Sequence, residues 1–164
     1  MNSKKTKFKQ LMDWKAAIYS GVISGLVMLL IVMFAVPSIM GWNTWTIVRY
    51  IASIFMGQSI LPPPADYNLT ALIIAVITHI ILSIGAAILL AFIIHRWGLL
   101  VGIFGGALFG LCLYGINFYS VSYFFPWFYL IHGWPMMLSH VIFGAVAGGV
   151  YEALEVEKFI PVED

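Results

Sequence analysis

Residues 69–94 read LTALIIAVITHIILSIGAAILLAFII, an apolar run without a single charge. A membrane-spanning helix needs about 20 such residues, because the hydrocarbon core is about 30 Å thick and a helix rises about 1.5 Å per residue. Asn68, just before the run, suits an N-cap, and His95-Arg96-Trp97-Gly98 closes it. Three further runs of this kind cover about residues 16–36, 99–124 and 135–153. Pro37 is expected to stop the first, Pro126 to end the third, and Pro135 to sit in the opening turn of the fourth. The fold class is therefore an all-α membrane protein with four transmembrane helices in one domain. Residues 1–15 form a basic head and residues 154–164 an acidic tail.

The rest of the chain agrees. Of 164 residues, 62% are hydrophobic and 9% charged. A soluble domain runs about 45–50% apolar and about 25% charged. Between Ala16 and Tyr151 the charged residues are Arg49, Asp66 and Arg96. This composition excludes a disordered chain, a nucleic-acid-binding domain, a disulfide-rich secreted domain and an ordinary cytosolic enzyme. The single cysteine, Cys112, cannot form an intrachain disulfide and reads as a small buried residue. The basic start resembles a signal peptide, but the apolar run after it exceeds the usual h-region of about 7–15 residues, so it reads as a retained span.

Cationic residues near the span ends set orientation. Lys4, Lys5, Lys7, Lys9, Lys15, Arg96 and Lys158 fall on one side and Arg49 alone on the other. Both termini are therefore expected in the cytoplasm of a bacterium, with the chain in its inner membrane. The external segment between spans one and two contains a second helical pattern at about 44–57, with Ile47, Ile51, Ile54 and Phe55 on one face. It is too short to span and reads as an interfacial amphipathic helix, with Trp42, Trp45 and Tyr50 at headgroup level.

Small residues recur at a spacing of four: Gly21 and Gly25; Gly102, Gly106 and Gly110; Gly144 and Gly148. That spacing lets helix backbones approach closely in lipid. The stripes suit packing within the bundle or docking of a partner helix. The order Gly21-x-x-x-Gly25 then Thr78-His79 is repeated by Gly106-x-x-x-Gly110 then Ser139-His140. This pattern suggests a duplicated helical hairpin, with His79 and His140 at equivalent depths about a pseudo-twofold axis.

An ionisable side chain inside a span is costly and is a functional candidate for that reason. His79 and His140 are such residues, and Ser83 and Ser139 are hydroxyls close enough in sequence to partner them. Three roles are open: hydrogen-bonded structural residues, axial ligands of one haem b, or members of a proton or substrate path. No metal site is expected, since no carboxylate or thiolate accompanies them. Asn117, near the external end of span three, suits an interhelical hydrogen bond. Arg49 suits a pairing with Asp66 or with a lipid phosphate. No catalytic motif appears, and no Asp or Glu lies within the apolar runs, which counts against a proton-coupled transporter.

Trp45-x-x-Val48-Arg49-x-Ile51-Ala52, Met56-Gly57, Leu61-Pro62-Pro63-Pro64 and His79-x-x-x-Ser83 resemble a family of small bacterial four-helix inner-membrane proteins. Gly106-x-x-x-Gly110-Leu-x-x-Tyr114-x-x-Asn117-Phe118, Phe125-Pro126-Trp127 and His140-x-x-x-Gly144-x-x-x-Gly148-x-x-Tyr151 continue the likeness, which covers about residues 16–151. Sequences of that family are sometimes labelled sodium:proline symporter. The label does not suit this chain, because solute symporters of that class have far more helices. The resemblance implies that Arg49, the prolines, His79, Asn117 and His140 act as a set in the external half. The expectation is a non-enzymatic accessory subunit of a larger membrane complex, respiratory or otherwise bioenergetic, in contact with lipid and other integral subunits. The alternatives are a haem-b electron-transfer subunit using His79 and His140, and a small homodimeric transporter or channel.

Overall fold

The computed structural model describes residues 7–162. Lys4, Lys5, Glu163 and Asp164, which entered the charge count, lie outside them. In chain order the elements are β1 (Lys7–Leu11), α1 (Trp14–Met40), α2 (Thr44–Met56), α3 (Leu69–Ile94), α4 (Leu99–Tyr123), α5 (Trp134–Leu154) and β2 (Lys158–Val162). Helices α1, α3, α4 and α5 are long and apolar enough to cross a membrane, and the chain is built as a multi-pass four-helix bundle.

Pro37 does not end the first span, contrary to expectation. The helix widens into a π-helical turn over Ile31–Ala35, where the Val36 N–H reaches the Ile31 carbonyl. Pro37 then opens the last α-helical segment, Val36–Met40. A proline there needs no N–H partner, and the wide turn relieves the clash its ring would otherwise cause. The true stop is Gly41, whose φ of 69° is left-handed. A second π-helical turn, Ile116–Ser120, interrupts α4. It begins as many residues after Gly110 as the first begins after Gly25. The two halves thus carry the same irregularity at the same place, which supports the duplicated hairpin.

The helices pack in the order α3, α1, α5, α4 around the bundle. Gly21 and Gly25 face Ile84 and Ser83 of α3. Gly102, Gly106 and Gly110 face Gly148, Gly144 and the His140 backbone of α5. All three stripes are thus occupied inside the chain. The duplication predicts that α1–α5 and its counterpart α4–α3 should look alike, and they do not. Helix α1 lies close on α5, whereas α4 and α3 barely touch. Ser20 and Ser24 are fully buried in α1, and their counterparts in α4 are Gly105 and Phe109. Gly105 faces Ile94 of α3, and Phe109 lies one turn further along the same face. Phe109, a ring where the first half has a hydroxymethyl group, packs against the buried cluster that includes Ala87, Leu90 and Ile94 of α3. Cys112, expected to be buried, is exposed, because it lies on the side of α4 opposite the glycine stripe.

The two ends of the chain meet. β1 pairs antiparallel with β2, Lys9 opposite Ile160 and Leu11 opposite Lys158. The acidic tail is therefore tied down rather than fully solvated, as far as the described residues reach. Asp13 caps α1 by accepting from the N–H groups of Lys15 and Ala16, and its second oxygen accepts from the Val156 N–H. Burial alone would raise this carboxyl. The N–H groups of Ala16, Val156 and Lys15, with the Lys158 cation, outweigh it and hold Asp13 below its ordinary value. A carboxylate depressed in this way stabilises the fold above its ordinary pKa, and that contribution is lost as the pH falls through the lowered one. Asp13→Ala is expected to cost about 1 kcal/mol and to speed amide exchange in residues 7–16 and 155–162 together. The unaltered chain should show the same release only below about pH 3.9, the ordinary aspartate value.

Candidate functional site

The splay of α3 from α4 leaves a cavity of about 580 Å³ lined from all four spans and from α2. Its walls follow the duplication. Met28 and Leu113 are counterparts, as are Val32 and Asn117, His79 and His140, and Leu82 and Phe143, and all eight line it. Both π-helical turns contribute, one through Val32 and the other through Asn117 and Phe118. One end is roofed by Ile47, Ile51 and Ile54 of α2 and by Phe125 and Phe128 of the α4–α5 connection. The apolar face of α2 is thus turned onto the bundle, and of the four residues assigned to it Phe55 alone points away, at 74% exposed.

The polar side chains of this cavity are His79, Ser83, Asn117 and His140. His140 is buried, with Tyr114 and Phe118 edge-on to its ring at centroid distances of 5.8 Å each. Its Nδ1 lies 2.8 Å from the Met136 carbonyl, and its Nε2 lies 3.2 Å from Asn117 Nδ2. A carbonyl only accepts, so Nδ1 carries the hydrogen and Nε2 accepts from the amide. His79 Nε2 donates to the Gly25 carbonyl at 2.9 Å, leaving Nδ1 as an acceptor. The halves diverge because their spacing differs. In the second half the helices are too close for a ring to reach across the glycine stripe, and Asn117 stands where the first half has Val32.

Neither serine partners a histidine. Ser139 donates to the Met136 carbonyl one turn back, as helix serines commonly do. Ser83 faces the cavity beside Gly25. Arg49 lies apart from this group. It binds main-chain carbonyls, Ile60 through Nη1 at 2.9 Å and Asp66 through Nη2 at 3.1 Å. The Asp66 carboxylate is not its partner, because the guanidinium fork fits the bend of the α2–α3 connection. The sequence did not signal a cross-tie from Trp127 to Ser53, whose Oγ accepts from the indole at 2.8 Å and ties the roof together.

A bis-histidine haem needs the lone pair of one nitrogen from each ring. As arranged, His79 Nε2 and both nitrogens of His140 are engaged with protein groups, so the geometry lends haem little support. Among the described residues no cluster of His, Cys, Asp or Glu has metal-binding geometry. Comparison of the chain with family models, curated proteins and solved structures gave no match.

Proposed function

We propose that the chain is a non-enzymatic subunit of a larger complex in the bacterial inner membrane, respiratory or otherwise bioenergetic, and that the cavity between α3 and α4 is its working site. The observation that carries this is one cavity where His79, Ser83, Asn117 and His140 converge, whereas Ser20, Ser24 and Ser139, buried elsewhere in the bundle, bond back to their own helices. The glycine stripes, being spent within the bundle, no longer argue for a partner helix. The outward faces of α3 and α4 do: Ile77, Ile81, Phe104 and Leu108 offer a broad apolar surface to lipid or to other integral subunits. The described ends of the chain lie at one end of the bundle, where β1 meets β2, and the excess of Lys and Arg in the sequence there supports a cytoplasmic location. On that orientation α2 is an interfacial helix on the outer side. The resemblance to the small four-helix family supports the inner membrane.

The test is native electrophoresis of the tagged chain extracted in mild detergent. We expect it to migrate in an assembly well above its own 18.3 kDa. A lone monomer under every extraction condition removes the subunit reading. The haem-b alternative predicts a Soret band lost in His79→Ala and His140→Ala; on our reading the purified protein shows none. The transporter alternative predicts liposome flux that depends on Asn117 or the histidines.

A further inference from the structure

We propose that the α3–α4 cavity binds a neutral, bilayer-dissolved molecule of the isoprenoid quinone or quinol class, which enters sideways between the two helices. The proposal rests on the cavity being the working site, and it adds the ligand.

Access comes first. The ring of helices is closed on three sides and open between α3 and α4. Leu82, at 59% exposed, both lines the cavity and faces outward, so the opening leads to lipid and not to water. An occupant arriving by this route is soluble in hydrocarbon.

Charge comes next. No Lys, Arg, Asp or Glu lines the cavity. A carboxylate or phosphate head would sit there without a counter-ion, at a large cost in low dielectric. The occupant is therefore uncharged, which excludes fatty acids and phospholipids.

The hydrogen-bond inventory sets the head group. His140 is spent on Met136 and Asn117. Asn117 keeps one N–H and its Oδ1, and it is exposed although it belongs to a spanning helix. An amide left in hydrocarbon without partners is strongly disfavoured. His79 keeps Nδ1, an acceptor, and Ser83 keeps its hydroxyl. The site therefore offers donors to a carbonyl and acceptors to a hydroxyl. A ring that carries C=O when oxidised and O–H when reduced uses both sets, and Phe118, Phe125 and Phe128 supply aromatic surfaces for such a ring.

The experiment reconstitutes the full chain in nanodiscs and titrates decylubiquinone, with decanol and palmitate as comparators. We expect saturable binding of one decylubiquinone per chain, at least tenfold tighter than either comparator. Asn117→Leu should weaken it at least tenfold. Because that variant also removes a partner of His140, Leu82→Trp is the second. It fills the opening from an exposed position, and it should abolish binding while the melting temperature stays within a few degrees. Uptake equal to that of empty nanodiscs overturns the proposal. So does equal affinity for decanol, or wild-type binding in a folded Leu82→Trp variant. A chain that binds decylubiquinone yet always runs alone would keep this inference and remove the subunit reading.

Discussion

Gly144→Ala should lose the folded bundle, or come close to losing it. A Cβ at Gly144 would stand 2.8 Å from the carbonyl carbon of Gly106 and 2.8 Å from the Gly110 nitrogen. Both are backbone atoms, so no side chain can rotate away. The same interlock is repeated on either side, where a Cβ on Gly148 would meet the Gly102 carbonyl carbon at 2.7 Å and one on Gly110 the His140 carbonyl carbon at 2.8 Å. Overpacking in a well-packed core costs about 1–3 kcal/mol, and a contact of one helix backbone on another belongs at or above the top of that range. Gly85→Ala and Gly115→Ala are the controls, since a Cβ there meets nothing within 4 Å. They should leave stability unchanged or raise it by up to about 1 kcal/mol, the helix preference of alanine over glycine. Unfolding midpoints in mild detergent check the set. Wild-type stability in Gly144→Ala would mean that α4 and α5 do not interlock.

The second large effect is expected at His140. His140→Ala empties the space between Tyr114 and Phe118 and leaves the Asn117 amide without its partner. A cavity of that size with one orphaned polar group costs about 2–4 kcal/mol. Asn117→Leu should cost less, because it leaves the His140 Nε2 without its donor but opens no cavity. A double-mutant cycle between the two isolates the bond itself, and interhelical hydrogen bonds in membranes couple by about 0.6–1.7 kcal/mol. Additive losses would show that the two side chains do not act together. His79→Ala, in a half-buried position with one bond to Gly25, should be the milder histidine variant.

The spans were legible because lipid imposes a rule that composition reports directly. A run such as Leu69–Ile94 has no competing interpretation, and the cap at Asn68 follows from a side chain that reaches its own helix. What the sequence hid depends on neighbours far along the chain. β1 and β2 have few residues each, and their pairing joins the two ends of the chain. The π-helical turn before Pro37 turns a helix breaker into a helix segment, which no local rule at Pro37 announces. The histidines and Asn117 stood out as polar groups in apolar runs. That Asn117 and His140 bond to each other, and that Ser83 and Ser139 serve neither ring, depends on helix rotation and spacing. The cavity was the least legible feature. It lies where α3 and α4 part while the pseudo-equivalent helices α1 and α5 stay in contact, and such a difference becomes visible only once the packing is known.

The bundle is asymmetric: it is open between α3 and α4 and closed at the pseudo-equivalent seam between α1 and α5. Cysteine pairs in a Cys112→Ser background test this most directly. Met28 and Phe143 belong to one buried cluster across α1 and α5. All four residues border the cavity, but the counterparts, Leu113 and Leu82, stand on α4 and α3, the two helices that barely touch. Under mild oxidation in native membranes, Met28→Cys with Phe143→Cys should form a disulfide in high yield, and Leu113→Cys with Leu82→Cys should form almost none. Equal yields from the two pairs would describe a closed ring of four helices with no opening to the bilayer, and the account would be wrong.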